Sequence, residues 1–256
     1  MDQFILKIKR GETPFFRGLR SLAKAATRSN LPVPGLFRPL LRGLYHLHFS
    51  VHHLGRLMVS YFYREPLFRS RCASVGKRLH VALMPDISGH AEIHIGDDVN
   101  LFGILAVSSG RVLDHPRLLI GNRVDIGHYV VISVNREVII EDGVHIASNC
   151  RIVDNDGHPS DPVLRDQGHA PAAEDCKAVR ICKNAWLGHG CYVMKGVTIG
   201  EGAIIGAASV VLSNIPPFTV AIGNPARPVT RAAGKPAAAP NQPEGAITKT
   251  VQDDPR

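Results

Sequence analysis

Between residues 181 and 215, bulky aliphatic residues return at every sixth position: Ile181, Leu187, Val193, Ile199, Ile205 and Val211. Four residues after each stand Ala185, Cys191, Val197, Ala203, Ser209 and Ile215, most of them small. Glycine follows the aliphatic directly at Gly188, Gly200 and Gly206. The spacing recurs upstream at Val75, Val81 and Ile87, at Ile95, Leu101 and Val107, at Ile120, Ile126 and Ile132, and at Ile140, Ile146 and Ile152. A period of six suits neither the 3.6-residue turn of an amphipathic helix nor the alternation of a strand. It suits a solenoid whose coils have three short flat faces, each coil covering its neighbour. Eighteen residues then return the chain to the same face, so that Ile181 stacks on Ile199 and Leu187 on Ile205. Small residues and glycine fit the corners, where unusual backbone angles are needed. Cys150 and Cys191 fall on small inward positions and read as core filler. His94 and His145, each just before a repeat aliphatic, point outward.

A different pattern precedes the repeat. Apolar residues at 37, 40, 41, 44, 47, 51, 54, 58 and 61 predict a helix over 36–62, with Arg38, Arg42, His46, His53 and Arg56 on its other face. Pro39 suits the first turn. Residues 30–35, Asn-Leu-Pro-Val-Pro-Gly, separate it from an earlier helix around 13–28. After Arg231, alanine, proline and glycine dominate and the repeat is gone, which predicts disorder. The chain thus divides into a basic helical segment (1–72), a repeat domain (73–231) and a tail (232–256).

Charge sharpens this division. The 256 residues carry a net charge of +8, yet before residue 79 there are 15 Lys and Arg against three acidic residues, and the remainder is net −4. The basicity belongs to the N-terminal segment. That segment reads either as a cap over the first coil or a neighbouring subunit, or as a basic amphipathic helix on an anionic membrane surface. No nucleic-acid-binding motif accompanies the charge. Five cysteines without a CxxC pair indicate neither a disulfide framework nor a zinc ribbon, and fit a reducing cytoplasm. No stretch approaches the roughly 18–20 apolar residues of a spanning helix, and charges interrupt the apolar run in residues 1–12, so no signal peptide is read there. The expected location is the cytoplasm, with peripheral contact at the inner face of the membrane.

The repeat runs through Ile152 and resumes near Ile181. Between them lies VDNDGHPSDPVLRDQGHAPAAEDCKAVR. A long loop ejected from a rigid solenoid is usually functional, and His158 sits at its root. No Ser-His-Asp arrangement is evident, and no cysteine has the setting of a nucleophile.

The segment IGEGAIIGAASVVLSNIPPFTVAIGNPARPV, with Pro216–Pro217 and the closing GNPAR, resembles the hexapeptide-repeat acyltransferases. DNDGHPSD is similar to the loop of their galactoside/maltose and polysaccharide O-acetyltransferase branch. The resemblance covers about residues 73–231. It implies a mainly β fold, a left-handed parallel β-helix of hexapeptide repeats here preceded by an N-terminal helical segment. It also implies a homotrimer, acetyl-CoA as acyl donor in the groove between subunits, and a sugar or polysaccharide acceptor. In that frame His158 is the general base, because histidine titrates nearest working pH. Asp154, Asp156 and Asp161 are candidates to orient its ring, as is a backbone carbonyl, and Pro159 restricts the backbone before it. His169 is the weaker candidate in the same loop. The resemblance carries donor contacts onto His189, Ala207, Leu212, Ser213 and Arg227, a cation suited to the CoA phosphates. Trp186, on an outward repeat position, lines the channel or covers a neighbouring coil. Transfer is direct, within a ternary complex, with backbone N–H groups for the oxyanion.

Two departures concern the acceptor and the donor. Ser213 stands where many relatives carry lysine, with Arg231 or Lys195 as substitutes. Arg136 stands where the galactoside branch has a carboxylate. The alternatives are N-acylation of an amino sugar, a γ-carbonic-anhydrase-like metal hydrase, and a non-catalytic scaffold. The hydrase needs three histidines around zinc, and His128, His145 and His158 lack the close pair it uses; no metal is expected.

Overall fold

A computed structural model describes residues 2–28 and 33–233. From Ser74 to Val211 the chain winds through six coils, each giving one short strand to each of three parallel sheets. The result is a left-handed parallel β-helix. The aliphatics stand in register as the sequence predicts. Val75, Ile95, Ile120, Ile140, Ile181 and Ile199 form the first-face ladder. Val81, Leu101, Ile126, Ile146, Leu187, Ile205 and Ala221 form the second, and Ile87, Val107, Ile132, Ile152, Val193 and Val211 the third. All rungs are buried except Val75 and Ile87 in the first coil. Each fully buried aliphatic contributes roughly 1.5–3 kcal/mol, so the ladders dominate stability. Cys150 and Cys191 are fully buried, and His94 and His145 face outward, as expected.

Corners follow a rule. Three residues after each first-face aliphatic, the backbone turns left-handed at Arg78, Asp98, Arg123, Gly143, Asn184, Gly202 and Phe218. Glycine carries no penalty there, whereas the other residue types pay a steric cost. Side chains at these corners accept from the coil below: Asp97 Oδ1 from Lys77 N–H (2.6 Å), Asn122 Oδ1 from Asp97 N–H (2.8 Å) and Asp142 Oδ1 from Asn122 N–H (2.7 Å). The Asn122 N–H holds the Asp142 carboxyl below its ordinary pKa.

The extra residues in the winding coils leave at the edge between the third and first faces. The steps Ile87–Ile95, Val107–Ile120, Ile132–Ile140 and Ile152–Ile181 all exceed six, while Val193–Ile199 does not. One edge of the prism therefore carries the irregular chain.

The two ends are closed differently. Bonds between neighbouring coils run both ways: Ala82 N–H donates to Leu101 O (2.9 Å), and Asp98 N–H to Lys77 O (2.9 Å). First-coil carbonyls that face away from the second coil have no coil to pair with and need other donors. Ser60–Arg71 supplies them. Ser60 Oγ donates to Val81 O (2.7 Å), Arg64 to Ala82 O, Arg69 Nη2 to Gly76 O (3.0 Å) and Arg71 Nη2 to Gly89 O (2.9 Å). Phe68, 2% exposed, plugs the core beneath them. At the other end, Thr219–Gly223 pairs antiparallel with Ala226–Arg231.

The helices are α1 (Asp2–Arg10), α2 (Pro14–Arg28), α3 (Arg38–Val59) and α4 (Glu65–Arg71), the last two joined by a π-helical turn at Ser60–Arg64. Helix α1 is an element that the sequence reading did not include, because charges interrupt its apolar run. Ser60–Arg71 caps the first coil, and α3 has no buried residue. Two compact units are described, Met1–Leu54 and Gly55–Arg256. The tail expected to be disordered lies, from Gly234 on, outside the described residues.

Phe68→Ala is expected to lower stability by about 3–5 kcal/mol, whereas Leu44→Ala, in exposed α3, changes it by less than about 0.5 kcal/mol. Urea unfolding of both variants checks this; equal losses would contradict it.

Candidate functional site

The root of the 154–178 excursion is fixed by one buried carboxylate. Asp154 is fully buried. Its Oδ1 accepts from Asn135 N–H (2.8 Å), and its Oδ2 accepts from Arg136 N–H (2.6 Å) and Glu137 N–H (2.8 Å). Asn155 Nδ2 adds a fourth donor to Oδ1 (2.8 Å), and Lys177 N–H donates to the Asp154 carbonyl (2.8 Å), so the loop's two ends meet here. Arg136 closes the return limb, its Nε donating to Cys176 O (2.7 Å) and an Nη to Ala173 O (3.0 Å). Its guanidinium is thus occupied by loop carbonyls.

Asn155, also buried, turns the chain outward. Its Nδ2 donates to Ser133 Oγ (3.1 Å) and its Oδ1 accepts from Gly157 N–H (2.9 Å). Gly157 takes a φ of +79°, which a side chain resists. His158 follows, exposed, and Pro159 behind it is buried. The imidazole is therefore presented from a rigid turn.

None of the three expected carboxylates orients it within the chain. Asp154 holds backbone amides at the root, so its role is structural. Asp156 pairs with Lys195. Asp161 caps the short loop helix Pro162–Asp166, accepting from Val163 N–H (2.7 Å) and Leu164 N–H (3.2 Å). His158 makes no hydrogen bond or ion pair among the described residues. His169 lies past the end of that helix, its N–H donating to Leu164 O (3.0 Å).

Beside this root the third face holds a groove of about 440 Å³, lined by Ser133, Arg151, Asn155, Gly157, Tyr192 and Met194 among others. The donor candidates flank that face on both edges. His189 and Ala207 occupy corners between the second and third faces. His189 Nε2 lies 3.2 Å from Asn149 Nδ2, one coil below, and Ala207 is exposed. Arg227 pairs in register with Ile222, whose side chain crowds Gly206 beside Ala207. Leu212 and Ser213 occupy the opposite edge, directly after Val211. Since Val193 and Val211 are in register, Lys195 sits one coil below Ser213 on that edge. Lys195 there pairs with Asp156. Trp186 is 51% exposed on the second face, in register with His145 and Ile204, so it stands apart from the groove of its own chain.

Cysteine chemistry is muted. Burial, and then the Asp154 carboxylate, push the Cys176 thiol up from its ordinary pKa. The Cys191 side chain and burial raise Cys150. Such thiols stay protonated and are poor nucleophiles. Among the described residues no three His, Cys, Asp or Glu side chains converge as metal ligands.

Residues 178–213 match the family model described as bacterial transferase hexapeptide (six repeats), so the chain carries these repeats. It is 37% identical over 114 residues to "Putative acetyltransferase YJL218W" of Saccharomyces cerevisiae, covering 44% of this chain and 56% of that protein. Over 74 residues it is 45% identical to "Putative acetyltransferase C18B11.09c" of Schizosaccharomyces pombe, 29% of this chain and 34% of that one. The matched stretches thus span about half or less of these relatives. Among solved structures, a point mutant of AntD, an N-acyltransferase from Bacillus cereus, in complex with dTDP and coenzyme A, shares the fold. The TM-score is 0.55 at 21% identity, over 67% of this chain and 90% of that one. A maltose O-acetyltransferase from Clostridium difficile aligns with TM-score 0.43 at 28% identity, over 67% and 75%.

Replacing Asp154 by Asn removes the charged acceptor of three backbone amides and is expected to cost about 1–3 kcal/mol. Limited proteolysis should then nick residues 156–175 faster than in the parent protein. Unchanged nicking would show that Asp154 does not hold the loop.

Proposed function

We propose that this chain is a CoA-dependent acyltransferase that moves acetyl from acetyl-CoA to a hydroxyl of a sugar or polysaccharide unit, with His158 as general base. The observation that supports the reading is the hydrogen-bonded turn at Asn155–Gly157, which lines the third-face groove and immediately precedes the exposed His158. There the irregular edge meets residues expected to contact the donor. The names of the matched relatives support acetyl transfer.

The chemistry follows from the residues. A sugar hydroxyl must lose its proton as its oxygen attacks the thioester carbonyl, and neutral imidazole can take it. The tetrahedral intermediate carries an oxyanion, which backbone N–H groups at the corners would stabilise. Collapse breaks the C–S bond. The departing thiolate takes the proton from imidazolium, leaving acetyl ester and free CoA. Direct transfer is favoured because the nearby Cys176 is held as a protonated thiol. Arg227, exposed on the terminal hairpin, and Lys195 are cations placed to meet donor phosphates or the acceptor. Among the described residues no carboxylate orients His158, so a backbone carbonyl, the substrate or a second chain would supply its ring partner.

The reading includes a homotrimer. The groove is open, and its donor candidates lie on both edges of one face, so a neighbouring copy would wall it. An amino-sugar acceptor is the second reading, supported by the N-acyltransferase that shares the fold. Paired hydroxy and amino sugars in one thiol-release assay separate the two.

His158→Ala is expected to lower kcat by about 10²–10⁴ at saturating acetyl-CoA while leaving CoA binding intact; His169→Ala should cost far less. Near-normal turnover in His158→Ala would refute the assignment. Light scattering of dilute protein should return three times the chain mass, and an active monomer would remove the trimer from the account.

A further inference from the structure

The last part of the basic N-terminal segment, Ser60–Arg71, caps the solenoid. Arg64, Arg69 and Arg71 are consumed in capping carbonyls, and the cations upstream have no such task. Between Glu12 and Glu65 there is no acidic residue, while Arg17, Arg20, Lys24, Arg28, Arg38, Arg42 and Arg56 precede the cap. Helix α2 arranges its share by face. At 100° per residue, Phe15, Leu19, Leu22 and Ala26 fall within one arc, and Arg17, Arg20, Lys24 and Arg28 within the opposite one, the two faces of an interfacial amphipathic helix. The cations line a shallow groove with Ser21. Phe15 and Leu22 are 68% and 69% exposed, and α2 has no buried residue. Helix α1 repeats the composition, with Phe4 and Ile5 exposed and Lys7, Lys9 and Arg10 in its last turn. Phe4 meets Phe16 edge-on at 5.7 Å between ring centroids, tying the two helices together.

We propose that α1 and α2 dock on the surface of an anionic phospholipid bilayer, apolar arc inward and cations against the headgroups. Charge decides between occupants. A second copy of this chain would bring like charges together along α2, with no acidic partner between Glu12 and Glu65. An anionic lipid surface complements the row, and each Lys or Arg near it strengthens attachment roughly fivefold. No described helix is long and apolar enough to cross a membrane, so the helices lie on it. The proposal is independent of the acyl-transfer reading.

Flotation of the full chain with vesicles tests this. It should rise with phosphatidylcholine–phosphatidylglycerol vesicles, fall at high salt, and stay down with phosphatidylcholine alone. The variant Arg17→Glu/Arg20→Glu/Lys24→Glu should bind at least about a hundredfold more weakly. Phe15→Ser/Leu22→Ser should bind at least about tenfold more weakly. Both keep the parent melting temperature, since these side chains are exposed. Equal flotation with neutral vesicles, none with anionic ones, or unaltered flotation of either variant would overturn the proposal. A change in molar mass of the variants with flotation unaltered would assign the face to a second copy instead.

Discussion

A coil of this chain cannot bury its own inner face. Its aliphatics are covered only because the next coil places another aliphatic in register, rung upon rung, from Ile95 to Val211. Register is therefore unforgiving, since a shift by one residue would turn every inward side chain out. The consequence for function is that additions to the winding coils must leave where register is not disturbed. All of them emerge at the edge between the third and first faces. The edge that tolerates irregular chain becomes the edge that can hold a site.

A loop of this length needs fixing if it is to position a reactive group. Asp154 does this with one carboxylate shared among three consecutive amides, and Arg136 does it from the return limb. Burying a carboxylate is costly unless it is fully hydrogen-bonded, and here it is. Asn155 and Gly157 then set the direction in which His158 leaves the solenoid. The same device joins ordinary coils at this edge, where Ser109 Oγ accepts from His90 N–H (2.7 Å) and Asn135 Oδ1 from Gly110 N–H (2.6 Å).

Much of this was legible in the sequence. The aliphatic rungs, the inward cysteines, the outward His94 and His145 and the root position of His158 all follow from a period of six. The rest depends on partners distant in sequence. Nothing in DNDGHPSD distinguishes an Asp that accepts three amides from one that faces a histidine; the difference lies in where residues 135–137 arrive. Lys195 standing beside Asp156 requires the register of two coils across the loop. An apolar stripe at 37–61 looks the same whether it covers a core, meets a neighbouring subunit or lies on a membrane, so the sequence leaves these open. The carbonyls that Ser60, Arg64, Arg69 and Arg71 satisfy are visible only once the coil direction is known.

The central claim is that acyl transfer is organised on the third face, between the loop root and the corners opposite. Hydrogen exchange in the presence and absence of acetyl-CoA tests it most directly. The account predicts slowed exchange at 188–190, 206–208 and 212–213 and at the loop root 155–158, with the coils at 92–120 unaffected. Protection confined to the helices or to the first face, or no protection at saturating acetyl-CoA, would contradict it.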